Sequence, residues 1–242
     1  MSAIRIEGLT KKYKDVLAVD DLTLSIEKGE LFALLGVNGA GKTTTIKMLS
    51  CLVQATGGNA YLNNKSIRTE TAEVKKIIAV SPQETAVAPG LSVKENLHLI
   101  CGVYGFSREK REASIKKLSG LLGLESVMQK RAGKLSGGFQ RRLSIAMALI
   151  SEPEILFLDE PTLGLDVIAR SELWDIIRSL KGKVTIVLTT HYMEEAETLS
   201  DRIGIMKDGR LLVCDTAENI KSIADTDRFE EAFIRIVKGV AK

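Results

Sequence analysis

Residues Gly36-Val37-Asn38-Gly39-Ala40-Gly41-Lys42-Thr43 stand between an unbroken apolar run, Leu31-Phe32-Ala33-Leu34-Leu35, and a helical pattern that starts at Lys42. Few folds accommodate that arrangement. An apolar run without alternation suits a strand buried on both faces. GxxxxGK[ST] between a strand and a helix is the spacing of a phosphate-binding loop. A triphosphate needs many N–H donors at close range, so side chains must be absent, and glycine also permits positive φ. The helix opening near Lys42 turns its free N–H groups and positive dipole end toward the phosphates. Lys42 can then reach the β- and γ-phosphates, and the Thr43 hydroxyl, followed by Thr44, can ligate Mg²⁺. At average composition such a match arises by chance in about one chain per hundred.

A second signal is Ile155-Leu156-Phe157-Leu158-Asp159-Glu160. Four apolar residues run into two acids, as in a buried strand that ends at the carboxyl edge of an α/β sheet, where ligands sit. Alone, such a strand end is as often a helix cap. Beside a phosphate loop it reads as chemistry: Asp159 to support Mg²⁺ and Glu160 to polarise an attacking water.

Around these motifs, strands alternate with helices. Strand patterns cover residues 4–6, 22–26, 31–35, 77–81, 155–159, 184–190 and 202–206, and residues 210–214 pair with the last through Asp208-Gly209. Asp20-Asp21 reads as the end of a strand. Helical patterns cover 42–52, 92–104, 107–122, 138–151 and 167–181. The expected fold is α/β, with a parallel-sheet nucleotide-binding core, an N-terminal antiparallel β subdomain and an inserted helical subdomain. Residues 1–84 and 153–242 would form the core lobe and 85–152 the helical lobe of a single domain. Phe229, Phe233 and Ile236 share one helical stripe and should pack on the core. His98 reads as a surface or packing residue and Trp174 as core.

Composition removes several function classes. Lys and Arg number 34 against 31 Asp and Glu, a net charge of +3, too small a field to imply nucleic acid. Aromatics are 5%, which argues against base stacking. The basic residues of 107–122 have no interleaved aromatic and read as a solvated helix face. The best apolar run, 143–150, falls short of the roughly 20 residues a membrane span needs. The N-terminus MSAIRIEG lacks a signal-peptide core, so the expected location is cytosolic unless a partner holds the chain elsewhere. Cys51, Cys101 and Cys214 are far apart and suggest neither zinc nor a disulfide framework.

The third signal is Leu135-Ser136-Gly137-Gly138, with Ser136 placed 19 residues before Ile155. Two glycines after a serine, opening a helix, make a second anion-binding terminus. Here the chain resembles the ATP-binding cassette (ABC) ATPases, whose signature motif is LSGGQ, and the resemblance covers essentially the whole sequence. It implies that Leu135, Ser136, Gly137, Gly138 and Phe139 of one subunit close over ATP held by a second copy, or a homologous subunit, in a head-to-tail dimer. Tyr13 matches the aromatic that stacks on adenine. Gln83 matches the glutamine that touches Mg²⁺ and senses a membrane partner. Asp166, in Gly164-Leu165-Asp166, matches the segment linking the two sites. His191, which alone would mean little, falls 31 residues after Glu160 and matches the switch histidine near the γ-phosphate. The implied catalytic set is Glu160, His191 and Lys42, and the implied metal set is Thr43, Gln83 and Asp159. Phe139 departs from the family pattern, which has Gln there. The backbone amides and Ser136 remain, so phosphate contact should survive.

The resemblance further implies an ATPase that powers a separate multi-span permease at the cytoplasmic face of the membrane, with no nucleic acid partner. His191-Tyr192-Met193-Glu194-Glu195-Ala196-Glu197, LSGGFQRR and residues 228–233 look like the branch that exports drugs, antibiotics, lipids or ions. Residues 84–91 match the region where the family docks its permease. Two other readings share the chemistry: a soluble ABC ATPase acting on ribosomes or DNA, and a force-transmitting membrane ATPase that moves no solute.

Overall fold

The computed structural model describes residues 2–240. The chain opens with two long strands, β1 (Ser2–Tyr13) and β2 (Val16–Glu27), then β3 (Leu31–Gly36) and helix α1 (Lys42–Leu49). Next come β4 (Gly57–Leu62), the two-residue β5 (Lys65–Ser66), α2 (Thr71–Ile77) and β6 (Ile78–Ser81). A helical stretch follows, α3 (Val93–Val103), α4 (Arg108–Leu121) and α5 (Gly137–Leu149). The chain returns through β7 (Ile155–Asp159), α6 (Val167–Leu180), β8 (Thr185–Thr190), α7 (Met193–Leu199), β9 (Arg202–Lys207) and β10 (Arg210–Asp215), and ends in α8 (Ala217–Ile223) and α9 (Phe229–Lys238).

Among the described residues the strands form two sheets. The order β2-β1-β4-β5 is antiparallel throughout. The second sheet runs β10-β9-β3-β8-β7-β6, parallel except for the β9–β10 hairpin, which turns at Asp208-Gly209 as its residue types demand. Strand β7 shows how apolar alternation builds two cores. Ile155 and Phe157 face α1 and the antiparallel sheet, while Leu156 and Leu158 face α3, α4, α5 and α6. Each such burial is worth about 1.5–3 kcal/mol. A third cluster joins Ala33 and Ile203 to α7, α8 and α9, and Phe229, Phe233 and Ile236 lie in it as their spacing predicts.

Some boundaries differ from the sequence expectation. The helix at Lys42 stops at Leu49 instead of residue 52, because Ser50 closes the last turn onto Ile46 and Cys51 swings to φ +57. Asp20-Asp21 does not end a strand. β2 runs through both with an irregular register, and Asp21 sits at φ +51. Ile77 is the last residue of α2, not the first of β6. His98 is half-buried with Nε2 3.5 Å from Glu112, and Trp174 is in the core.

Candidate functional site

Strands β3, β8, β7 and β6 are parallel neighbours, so their carboxyl ends share one edge. That edge receives Gly36 from β3, Asp159 from β7, Thr190 from β8 and Ser81 from β6. The residues that follow each strand converge above it, the usual place for a ligand in an α/β sheet. An open cleft of about 790 Å³ lies there, lined by residues 38–44 with Tyr13, Gln83, Glu160 and His191.

Glycine is required in the loop for two different reasons. A Cβ on Gly36 would lie 2.5 Å from the Met206 carbonyl oxygen. Gly41 caps α1 at φ +101, and its Cβ would lie 2.5 Å from the Ala18 carbonyl oxygen. With side chains excluded, the N-terminal amides of α1 face the cleft. Gly36 and Val37 shape the loop without lining the cleft. Lys42 is buried, and its Nζ donates to the carbonyls of Gly36 (2.7 Å) and Val37 (3.3 Å). The same Nζ lies 3.3 Å from Glu160 Oε1.

The acids of β7 are held by its neighbours. Asp159 is buried, and its Oδ1 accepts from Thr43 Oγ1 (3.1 Å) and Thr189 Oγ1 (2.5 Å). Asp159 thus sits behind Thr43 and does not line the cleft. Glu160 takes φ +48, and its N–H is fixed by Thr189. A left-handed non-glycine residue costs about 1–2 kcal/mol and aims the carboxylate out of the strand line. Glu160 Oε2 meets His191 Nδ1 at 2.7 Å. Thr43, Asp159 and Gln83 offer hard oxygen donors of the kind Mg²⁺ takes. Among the described residues no group of three or more His, Cys, Asp or Glu can hold a metal ion. A magnesium here would need phosphate oxygens to complete its shell.

Two residues escaped the sequence reading. Glu195 on α7 is 0% exposed. Trp174 Nε1 donates to its Oε1 at 3.0 Å, and no hydrogen bond of good geometry reaches its Oε2. Burial pushes this carboxyl above the usual range, opposed by the hydroxyls of Thr190 and Thr162 and by Trp174. Arg141 on α5 is 4% exposed and forks onto the carbonyls of Pro82 and Gln83. Glu195 and Arg141 stand in residues 191–197 and in LSGGFQRR, stretches that the sequence marks only as resembling a family branch, with no role for either residue.

The signature residues lie apart from this cleft. Ser136 caps α5 with no side-chain cap bond, and Ser136 and Gly137 are exposed. Gly138 is buried against Ala169, where a Cβ would meet that methyl at 3.1 Å. Leu135 is buried, and Phe139 is half-buried against the helical core with Arg142 over its ring. Arg142 pairs in turn with Glu172. Position 139 therefore packs inward in this chain, away from the cleft. Asp166 is exposed and caps α6 through Ala169 N–H at 2.9 Å. Tyr13 ends β1 at the cleft mouth, 42% exposed, with Lys11 Nζ 4.7 Å from its ring centre.

The sequence and the fold are similar to those of known proteins. Residues 19–163 match the family described as ABC transporter. Residues 131–197 also match a family described as AAA domain, putative AbiEii toxin, Type IV TA system. The chain is 40% identical over 225 residues to the phospholipid-transporting ATPase ABCA3 of Homo sapiens, covering 91% of this chain and 13% of that one. It is 36% identical over 242 residues to the probable multidrug ABC transporter ATP-binding protein YbhF of Escherichia coli (strain K12), covering 98% and 42%. The chain thus spans less than half the length of these curated relatives. Among solved structures, an ATP-binding subunit of an ABC transporter superposes with TM-score 0.86 at 27% identity, over 97% of this chain and 99% of that chain. The cassette MJ0796, in a dimeric post-hydrolysis state bound to ADP and Pi, superposes with TM-score 0.79 at 28% identity, over 88% and 98%.

Proposed function

The chain belongs to the ABC transporter family, and from that premise we propose that it binds and hydrolyses ATP to drive a membrane-spanning permease lying outside these 242 residues. The observation that carries this reading is the convergence of Lys42, Thr43 and the Glu160–His191 pair on one cleft, with Asp159 behind Thr43. No helix among the described residues is long and apolar enough to cross a membrane.

Hydrolysis joins a water oxygen to the γ-phosphorus, breaks its bond to the β-bridging oxygen, and yields ADP, inorganic phosphate and a proton. Lys42 exchanges its carbonyl and carboxylate partners for phosphate oxygens and neutralises charge there. Glu160, released from Lys42, accepts a hydrogen bond from the attacking water. His191 holds the Glu160 carboxylate in place. The α1 amides cradle the phosphates, and Tyr13 supports the adenine. Thr43, Asp159 and Gln83 would hold Mg²⁺, which supplies charge neutralisation at the phosphates.

Ser136, Gly137, Gly138 and Asp166 then complete the site of a second subunit in a head-to-tail dimer. Ser136, Gly137 and Asp166 are exposed away from their own cleft, which supports this. Residues 85–152 act as the lobe that carries this signature, and residues 1–84 with 153–242 as the core. An apolar groove of about 530 Å³ between β6, α3 and α5, rimmed by Val103, Tyr104 and Met147, is the docking surface for the permease. That contact would hold the chain at the cytoplasmic face of the membrane. Relatives that include a phospholipid-transporting ATPase and a probable multidrug ATP-binding protein support an exporter of amphiphilic or apolar cargo.

Purification from its own membranes in mild detergent, with partners identified by mass spectrometry, tests this reading. A stoichiometric multi-span partner is expected. Ribosomal or DNA-bound proteins with no span-bearing partner would overturn it in favour of a soluble ATPase.

A further inference from the structure

Residues 81–83, where β6 leaves the sheet, are each fastened to α5. Ser144 Oγ lies 3.0 Å from Ser81 Oγ. Arg141, one turn earlier, donates from Nη1 to Pro82 O and from Nη2 to Gln83 O, both at 2.6 Å. A planar guanidinium on two successive carbonyls fixes their direction as well as their distance, which a lysine cannot do. Five residues on, the loop is fastened again. Ala88 N–H donates to Asn96 Oδ1 at 2.8 Å, and Asn96 Nδ2 donates to Ala88 O at 3.1 Å, with Asn96 on α3. The loop that carries Gln83 is therefore held at both ends by the helical stretch, while the phosphate loop belongs to β3 and α1.

The Arg141 fork is costly to build. The guanidinium is buried, and among the described residues no carboxylate lies within ion-pair distance of it. Burial pulls it below its usual range, and the more distant charges of Asp159 and Glu195 oppose this only in part. A buried charge without a close partner is destabilising unless its hydrogen bonds are good. A methionine or leucine would pack among the apolar residues of α5 at no such cost, so packing alone does not account for arginine here.

Helix α5 carries two features one turn apart within one rigid element. Ser136 and Gly137 are exposed at its N-terminus, and the fork on Gln83 lies a turn beyond. Gln83 lines the cleft of its own chain. We infer that Arg141 is a positioning residue that makes Gln83 move with the α5 N-terminus. Nucleotide engaged by Ser136 across the dimer thereby sets the reach of Gln83 into its own cleft. This rests on the dimeric ATPase reading above and adds to it the strut by which one site governs the other. The coupling is reciprocal, so it appears as cooperativity in ATP.

Two experiments test it on the full chain. Arg141→Lys keeps the charge and loses the fork. Steady-state hydrolysis should lose cooperativity, with the Hill coefficient falling to about 1. Amide exchange of residues 83–87 should rise about 10-fold or more as their anchor is released. A variant with a lowered melting temperature but unchanged cooperativity and unchanged exchange would show a purely structural role and overturn the inference. Ser136→Ala changes an exposed residue and leaves the fold intact. In the wild type, Mg-ATP should protect residues 38–44 and also residues 83–87, and Ser136→Ala should keep the first and lose most of the second. Equal protection of 83–87 in both proteins overturns the strut alone. Absence of protection at 38–44 in the wild type overturns the ATPase reading with it.

Discussion

His191 Nδ1 lies 2.7 Å from Glu160 Oε2, although the residues are 31 apart in the chain. Parallel pairing of β7 with β8, with Asp159 opposite Thr189, brings the two strand ends level. The other oxygen of Glu160 faces Lys42 at 3.3 Å. One carboxylate is thus gripped between the phosphate loop and the strand that ends in histidine.

His191→Ala releases one side of that grip. The expected result is a fall in kcat of about 100-fold, the low end of a general-base contribution, because Glu160 loses the group that orients it. KM for ATP should change little, because the loop amides and Tyr13 are untouched. Steady-state phosphate release across ATP concentration checks both. A raised KM with normal kcat would move His191 from catalysis to binding.

Gly36→Ala should destabilise the fold by about 3 kcal/mol, the upper range for overpacking. The new methyl would meet a backbone carbonyl at 2.5 Å and the Ala40 methyl at 2.9 Å, and neither is the end of a flexible side chain. Urea denaturation measures the loss. A midpoint equal to wild type would mean that the loop yields freely.

Much of this site could be read from the chain, for physical reasons that differ by residue. The phosphate loop is legible because its glycines answer to local geometry, as the positive φ of Gly39 and Gly41 shows. Asp159 and Glu160 are legible because β7 is buried on both faces and its first polar residues must stand at an edge. Strand β4 is not, since GGNAYL carries few apolar residues and is half-solvated beside β1. Short helices such as α2 and α8, at seven residues each, span too few turns to show a period. Arg141 and Glu195 are hidden for another reason. Their partners are 58 and 21 residues away in sequence, and only tertiary packing turns a charge on a helix into a buried one.

Tyr13→Ala should weaken ATP binding by about 1–3 kcal/mol, the value of one stacked base, and leave the maximal rate nearly intact. Equilibrium titration with a fluorescent ATP analogue reads the affinity. Unchanged affinity would remove Tyr13 from the site.

Glu195→Gln tests the buried carboxyl. Burial raises it above its unfolded value, so between those two values the folded chain keeps a proton that the unfolded chain has lost. Stability is therefore present below the unfolded value and lost as pH rises through the window. Glutamine stays neutral and still accepts from Trp174. Melting temperatures from about pH 4.5 to about pH 8 should show the variant gaining on the wild type as pH rises. Parallel curves would contradict a raised carboxyl.

The most direct test of the account is phosphate release from Mg-ATP by the wild type and by Glu160→Gln at saturating nucleotide, with bound ATP measured in parallel. The account predicts a hydrolysing wild type, and a variant that binds ATP as well but turns it over at least about 100-fold more slowly. Normal turnover by the variant would contradict the assignment of Glu160 and of the site built around it.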